Sequence, residues 1–235
     1  MKLTKPQSWQ FVSAENSLSA LLYFTLAYLF VVCTFGDFSF GGLVGRVLFS
    51  LIIIAGVAAT FRQHWVRFLI IILAAAGLAL TWLEHTHPAW TLSILNALLG
   101  MIFLLFLFAT LIFQVFQRGA VTGHKIRGAI VVYLLAGGMW GFFYYVVALT
   151  IPHAFNWPKD LVTADRQAVQ QVLTYFSFIP LTTTGYGDVT PAIPLTRTLA
   201  MLESLAGQLY LVVTLTRLVS LSVTCPNSPH RPDRS

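Results

Sequence analysis

The sequence predicts an all-α membrane protein with six transmembrane helices and one shorter helix that does not cross the membrane. Of its 235 residues, 57% are hydrophobic and only 9% are charged, whereas charged residues make up about 25% of a typical soluble domain. Six apolar runs approach the ~20 residues that a helix needs to cross a bilayer. A further segment from Arg166 to Ile179 has a helical pattern but is too short to span, which predicts a re-entrant helix buried in protein.

The six apolar runs are separated by polar or glycine-rich segments. The first run is longer than the core of a typical signal peptide and no small-x-small cleavage pattern follows it, which predicts a retained helix. Residues 1–16 combine lysines with aromatic side chains, a mixture typical of a cytoplasmic membrane interface. The predicted spans are Ser17–Phe35, Leu43–Phe61, Phe68–Leu83, Trp90–Phe116, Ile130–Ile151 and Leu195–Val223.

The basic residues predict how these spans are oriented. The net charge of +6 need not indicate nucleic-acid binding, because membrane proteins collect Lys and Arg on cytoplasmic loops. With both termini cytoplasmic, most basic residues lie inside, and Cys33 and Cys225 lie on opposite faces, so no internal disulfide is expected. The inner set is Lys2, Lys5, Arg62, Arg67, Arg118, Lys125, Arg127, Arg217, Arg231 and Arg234, and the outer set is Arg46, Lys159, Arg166 and Arg197.

A polar, glycine-rich segment, Gln117 to Gly128, is the clearest boundary in the chain. It divides the sequence into a predicted four-helix domain (1–122), a two-span domain (123–224) and a short tail (225–235). The tail is polar and rich in proline, which predicts disorder. Because it has no room for a ligand-binding domain, we expect ligand gating to come only from lipid, protons, the loop before the last span or a separate protein.

The most informative motif is residues 182–188, TTTGYGD, between the short helix and the last span. Stripping a cation of its water requires rings of oxygens, and successive backbone carbonyls can supply them if alternate residues are left-handed. Only glycine adopts that conformation without a steric cost, and Gly185 and Gly187 are suitably spaced. Thr183 can add hydroxyls, while Tyr186 can brace the loop from behind. The predicted ion-binding residues are Thr183, Thr184, Gly185, Tyr186 and Gly187, flanked by Thr182 and Asp188.

The stretch Thr183-Thr184-Gly185-Tyr186-Gly187-Asp188 resembles the selectivity-filter signature of tetrameric potassium channels. Tyr175 to Leu181 resembles their pore helix, and Pro191 to Leu221 resembles their inner helix. Gly207 follows Gly187 by 207 − 187 = 20 residues, where family members carry a hinge glycine, and Gly207 to Leu211 is similar to small prokaryotic members. The first four spans resemble six-span members only in number.

This resemblance implies a passive, potassium-selective channel that carries no catalytic residues and needs no cofactor beyond permeant K⁺, bound at Thr183, Thr184, Gly185 and Tyr186. A filter closes only when four loops surround one axis, and the chain has one such loop, so a homotetramer is expected. Other expected partners are membrane lipids and an unidentified regulatory protein, with no nucleic acid. The resemblance also implies a bacterial inner membrane.

The fourth span lacks the charges of a voltage sensor. Steep voltage dependence needs about 3 to 4 charges per subunit crossing the field, yet no arginine lies between Trp90 and Phe116. Arg118, just past the end of this span, is interpreted as a cytoplasmic anchor. The sequence therefore predicts the layout of a sensor domain without its electrical function, and no strong voltage gating.

The last span carries the candidate gating residues. By helical spacing from the hinge candidate Gly207, four residues are placed to line a cavity or an inner gate, or alternatively to pack against the fifth span: Gln208, Leu211, Val212 and Leu215. A ring of Gln208 amides would make a cavity wet. Glu203, an acid at membrane depth, is expected either to sense protons or to make a structural bond that ties the pore helix to the inner helix.

Three positions depart from the commonest potassium channel pattern. Thr184 replaces valine or isoleucine, and its hydroxyl is expected to bond behind the filter. Ile179 replaces a glutamate that in some relatives pairs with the aspartate after the filter, so Asp188 needs another partner or water. Pro180 lacks an N–H and disfavours helix at the residue before it, which predicts an early end of the pore helix.

Two further clusters leave alternatives open. Glu84, His85 and His87 could bind a metal or sense extracellular pH, or they could form a solvated turn. Gly137 and Gly141 form a small-xxx-small face that allows close helix approach, within one subunit or between subunits.

Three rival functions are weighed. A nonselective cation channel is disfavoured by Tyr186 between its two glycines. A potassium transporter subunit is disfavoured by the lack of internal repeats. A membrane enzyme would require a catalytic set, and the chain offers only the weak cluster of Glu84, His85 and His87.

Overall fold

A computed structural model describes residues 7–35, 39–59, 64–87, 89–117, 122–157 and 166–224. These ranges contain seven helices and one short two-stranded ribbon. In chain order the elements are α1 (Gln7–Phe35), α2 (Ser39–Ala59), α3 (His64–Thr86), α4 (Trp90–Val115), α5 (Gly123–Thr150), β1 (Phe155–Asn156), α6 (Arg166–Leu181), β2 (Thr190–Pro191) and α7 (Pro194–Thr224).

Six of these helices are long and apolar enough to cross a membrane, which confirms the predicted number of spans among the described residues. The short helix α6 is the exception, as the sequence predicts. The spans cover Ser17–Phe35, Gly42–Ala59, Phe68–Thr86, Trp90–Val115, Gly123–Thr150 and Pro194–Ser220.

Helix bounds differ from the sequence prediction where polar residues continue a helix beyond its apolar run. Helix α5 begins at Gly123, seven residues before the predicted Ile130, and α2 begins at Ser39, four residues before the predicted Leu43. The predicted loop at Glu84 and His85 is the last turn of α3. A helix can continue through polar side chains as long as its backbone N–H and C=O groups remain paired. The hydrophobicity of a segment therefore predicts which residues lie in the membrane better than it predicts where the helix begins and ends.

The four helices α1–α4 form a bundle with an apolar interior that includes Ile53, Phe103 and Leu107. This four-helix domain docks on the rest of its own chain, because α4 packs along α5 and α1 contacts both α5 and α6. At one end, the Trp90 indole donates a hydrogen bond to the Leu149 carbonyl (3.3 Å). The domain therefore lies directly beside the helices that hold the TTTGYGD loop.

A short two-stranded ribbon adds to this helical fold and takes up part of Pro152 to Asp165, which the sequence predicts to be a polar turret between the fifth span and the short helix. Phe155 pairs with Pro191 and Asn156 with Thr190, so the segment after α5 is stitched to the segment after the TTTGYGD loop. Phe155 is buried, and its ring lies 5.6 Å from the Tyr144 ring and 5.4 Å from the Phe176 ring. Residues 158–165 of the turret lie outside the described residues.

Helices α5 and α6 approach closely within one chain. A Cβ built on Gly141 would lie 3.0 Å from the Thr174 Cα, and one built on Gly137 would overlap the Phe178 ring. The Ser177 hydroxyl donates to the Gly137 carbonyl (2.9 Å). Of the two alternatives for this glycine face, the structure therefore supports close packing within one subunit.

The basic residues that the structure describes separate toward two ends of the molecule. Arg46 and Arg166 line one cavity, whereas Lys125 donates to the Gln117 carbonyl at the opposite end (3.0 Å). Cys33 is a free, exposed thiol. Predictions for Lys2, Lys5, Arg62, Arg118, Lys159, Cys225, Arg231, Arg234 and the tail 225–235 lie outside the described residues, as does the side chain of Arg67.

Candidate ion-conduction site

The TTTGYGD loop begins directly after Leu181, the last residue of helix α6. Pro180 does not end the helix early, which corrects the sequence prediction, because α6 continues to Leu181. A proline near the C-terminal end removes only one backbone donor. The backbone N–H groups of Thr182 and Thr184 still bond to the carbonyls of Phe178 and Ile179, each at 3.0 Å.

The loop backbone alternates in handedness. Gly185 and Gly187 have φ angles of 65° and 80°, the left-handed conformation that the motif predicts. Thr183 is also left-handed, with φ of 58°, which the sequence did not predict and which costs a residue with a Cβ about 1 to 2 kcal/mol. Left-handed residues thus occur at three alternate positions.

A hydroxyl pair and a phenol brace this loop. The Thr182 and Thr184 hydroxyls are 2.7 Å apart, and the Thr182 hydroxyl donates to the Phe178 carbonyl (2.6 Å). The Tyr175 hydroxyl donates to the Asp188 carboxylate (2.8 Å). Tyr175 lies one helical turn before Ile179, the position at which some potassium channels carry a glutamate that pairs with this aspartate. The partner of Asp188 therefore comes from the same helix, but from one turn earlier.

Residues 182–188 are all exposed in the single chain. The space beside Gly185 and Gly187 is open. A Cβ built on either glycine would have no atom within 4 Å in the described chain, apart from the adjacent residues. The chain therefore supplies one wall beside the loop and leaves its other side open.

Helix α7 packs behind the loop through Gly207. A Cβ at this position would overlap the carbonyl oxygen of Leu181, so only glycine allows α7 to lie so close to the end of α6. The same carbonyl accepts a hydrogen bond from the Tyr133 hydroxyl (3.0 Å). Helix α7 runs through Gly207 without interruption, and the predicted hinge role of this residue stays a prediction.

One stripe of α7 faces its own chain. Its members recur at helical spacing: Glu203, Gly207, Tyr210, Thr214 and Arg217 are buried or half-buried. The Tyr210 hydroxyl donates to the Ala129 carbonyl of α5 (2.7 Å). The Arg217 guanidinium bonds to the Phe116 carbonyl and lies 4.9 Å from the Phe116 ring centroid.

The opposite stripe of α7 carries the four residues predicted for a cavity or gate. Gln208, Leu211, Val212 and Leu215 are all exposed, and Val212 and Leu215 retain 62% and 67% of their accessible surface. The alternative that several of them pack against the fifth span is therefore wrong within the single chain. The side chains of these four residues are therefore not covered by the described part of their own chain.

Glu203 is fully buried and bonded to helix α5. The Tyr144 hydroxyl donates to its Oε2 (2.6 Å), while Oε1 has no hydrogen-bond partner among the described residues. The expected bond to the short helix α6 is thus replaced by a bond to α5. Helix α6 contacts this pair through an aromatic ring, because Phe176 lies 5.1 Å from the Tyr144 ring.

The cluster at the end of α3 is held by hydrogen bonds rather than arranged around a metal. Asn96 donates to the Glu84 carboxylate (2.7 Å), and an Arg46 Nη1 lies 2.8 Å from the His85 Nδ1. No group of three metal-ligating side chains occurs in the described parts of the chain. Glu84 and His85 form the last turn of α3 and have hydrogen-bond partners, while His85 and His87 are exposed, so the predicted turn is helical and remains solvated.

Sequence reasoning missed the partners of the acidic residues. Tyr175 and Tyr144 carried no signal in the sequence, except that Tyr175 shares a helix face with Ile179. Buried polar groups need partners, but which tyrosine meets which carboxylate depends on how helices pack.

A comparison with protein families finds a match at this site. A family model described as an ion channel matches residues 171–223, a range that begins in α6, includes the TTTGYGD loop and covers most of α7. No curated protein shows significant similarity to the chain. The match indicates an ion channel, and with six candidate spans it supports a multi-pass membrane protein.

Proposed function

We propose that four copies of this chain form a passive potassium-selective channel, with residues 182–188 as its filter. The observation that carries the proposal is the left-handed backbone at Thr183, Gly185 and Gly187 in a loop that follows a short helix. Alternating handedness is what allows successive carbonyls to face one axis. In the channel, K⁺ binds at the carbonyls of Thr183, Thr184, Gly185 and Tyr186, which replace its hydration shell.

The open side of the loop supports a tetramer. One loop supplies a quarter of each oxygen ring, so three other loops cover the surface that is exposed in the single chain. The exposed stripe of α7 supports the same assembly. Gln208 interrupts its apolar residues, and a polar side chain in contact with lipid is costly, so this stripe faces a water-filled cavity on the tetramer axis.

Conduction in this channel needs no chemistry on a substrate. The carboxyl ends of the four α6 helices point their partial negative charges toward the cavity and favour a cation there. Ions shed water at Thr183 and leave past Gly187 under mutual repulsion. Helix α4 contributes no gating charge, because no charged residue lies between Trp90 and Val115, so gating is not strongly voltage-dependent.

The test is ion flux through purified protein in liposomes, with K⁺ and Na⁺ gradients imposed in turn. We expect K⁺ flux in the native protein and its loss in Gly185→Ala. Space exists for the added methyl, so the damage comes from the φ of 65° that an alanine resists. Gly138→Ala is the matched control, because its Cβ would lie 3.4 Å from Leu104 Cδ1, an ordinary contact.

The outcomes separate the alternatives. Flux of K⁺ alone that survives Gly138→Ala and disappears in Gly185→Ala supports the proposal. Equal Na⁺ flux would make the protein a nonselective cation channel. A monomeric mass in detergent together with no flux at any pH would contradict both the assembly and the channel.

A further inference from the structure

One arginine joins three helices at the amino-terminal end of α6. Arg46 lies on α2, and its two terminal nitrogens have different partners. Nη1 lies 2.8 Å from the Nδ1 of His85 on α3, and Nη2 donates to the Oε1 of Gln167. Gln167 is the second residue of α6. The side chain of Arg46 therefore connects the four-helix domain to the first turn of the pore helix.

Gly42 completes this junction on the side of α2. A Cβ built on Gly42 would overlap the amide end of Gln167, so the glycine leaves the space that this amide occupies. Gly42 and Arg46 are separated by one helical turn and face the same way. Two residues of α2 thus fix the position of Gln167, one by leaving room and one by a hydrogen bond.

Water can reach the junction. Arg46, His85 and Gln167 line a cavity of about 690 Å³ that is partly open to the outside of the chain. Its walls carry both polar and aromatic side chains. Ions and protons in the surrounding solution therefore have access to the His85 imidazole, which is itself exposed.

The bond between Arg46 and His85 exists only while the imidazole is neutral. A guanidinium has donors and no acceptor, so Nδ1 of His85 must accept with its lone pair, and the ring proton must lie on Nε2. Protonation of Nδ1 would remove the acceptor and place two cations in contact. Histidine is the side chain that changes charge between about pH 5 and 8.

The other charges that line the cavity are of opposite sign and leave the repulsion between the two cations in place. Helix α3 contributes the carboxylate of Glu84, which accepts from Asn96 of α4 and keeps its negative charge, and α6 contributes the cation Arg166. Helix α1 contributes Tyr28, while α5 contributes Phe142 and no charge among the described residues that line the cavity. His87 lies on the same end of α3 and is exposed.

We propose that Arg46 is a positioning residue of the filter and that protons arriving from the filter's outer face release it through His85. The inference rests on the proposed function and adds an external regulator to it. Helix α6 runs from Gln167 straight into the filter and carries Tyr175, which holds Asp188. A first turn that is no longer held therefore loosens both ends of the filter and lowers K⁺ conduction.

The test is single-sided pH change on K⁺ current in a planar bilayer. Acidifying the Asp188 face from about pH 8 to about pH 5.5 should lower the native current about fivefold, the factor that a partly exposed charged contact can supply. His85→Gln keeps an oxygen that accepts from Arg46 at every pH, so its current should stay high and independent of pH. Arg46→Gln should conduct weakly at both values.

His87→Gln is the matched control and should retain the native pH response. A pH response in His85→Gln equal to that of the native protein would overturn the inference, as would native current in Arg46→Gln at about pH 8. Acidifying the opposite face should have no effect on this site.

Hydrogen exchange tests the junction independently of conduction. At one pH near 5.5, backbone amides of residues 170–173, which bond within the first turns of α6, should exchange faster in the native protein than in His85→Gln, because only the native junction is released. Equal exchange in the two proteins would overturn the inference. If the amides show the expected difference in exchange but no K⁺ current is measured, the junction is retained and the proposed channel function is rejected.

Discussion

The centres of the four-helix domain (α1–α4) and of the helices α5–α7 are packed by different interactions. At the centre of the first, side chains such as Ile53, Phe103 and Leu107 pack apolar surface against apolar surface. At the centre of the second, a buried hydroxyl or carboxylate makes the contact between helices, as in the Tyr144–Glu203 bond and the Ser177–Gly137 bond.

The difference teaches what each domain needs from its structure. Apolar packing fills space and tolerates small shifts, and a lipid environment adds little hydrophobic force to it. A hydrogen bond in a membrane contributes about 0.6 to 2 kcal/mol but works only at one distance and angle. The proposed filter, whose oxygens would replace water, requires such fixed geometry, whereas supporting helices mainly require a filled interior.

The largest effect is expected from a methyl group placed between α6 and α7. Gly207→Ala would drive a Cβ into the Leu181 carbonyl, and since backbone cannot move aside cheaply we expect a loss of about 3 kcal/mol in stability and loss of K⁺ flux. Gly77→Ala is the counterpart in the four-helix domain, where the Cβ would lie 3.9 Å from Ile53 Cδ1. Thermal unfolding of the purified proteins should separate them, and equal midpoints would contradict the contrast.

A smaller effect is expected from the buried carboxylate. Tyr144→Phe removes the one hydrogen bond that Glu203 makes in the described chain, which should destabilise the protein by about 1 to 3 kcal/mol. Removing both partners in Tyr144→Phe with Glu203→Leu should restore most of this loss, because no polar group is then left unpaired. Denaturation of Tyr144→Phe, Glu203→Leu and the double variant measures the coupling, with the exposed Tyr23→Phe as control. Additive losses would refute a specific bond.

The smallest effect is expected at the mouth of the filter. Tyr175→Phe removes the hydroxyl that holds Asp188, at a cost of about 1 kcal/mol, so K⁺ flux should fall about fivefold. Asp188→Asn keeps an oxygen acceptor and should lose less. Liposome flux and the protection that K⁺ gives against heating are the measurements. Native values of both in Tyr175→Phe would show that the loop holds its shape without this bond.

Much of the fold is readable from local patterns, because membrane spans depend on short-range composition. The six spans and the short α6 helix follow from runs of apolar residues, and the left-handed φ at Gly185 and Gly187 follows from the residue type. Predictions of where helices begin and end were less accurate. Pro180 was expected to stop α6, but the carbonyls one turn earlier still receive hydrogen bonds from the following threonines.

The same distinction between local and long-range information applies to the candidate site. The residues of the loop can be read from consecutive positions in the sequence, and so can the absence of arginine from α4. Neither needs a folded structure. Which tyrosine holds Asp188, which one holds Glu203, and why residue 207 must be glycine depend on atoms far apart in the chain. Contacts such as Arg46 with His85 and Gln167 join residues separated by 39 and 121 positions. Only the packing of helices against one another brings such groups within hydrogen-bonding distance, since periodicity places a residue on a face but does not choose the neighbour that the face will meet.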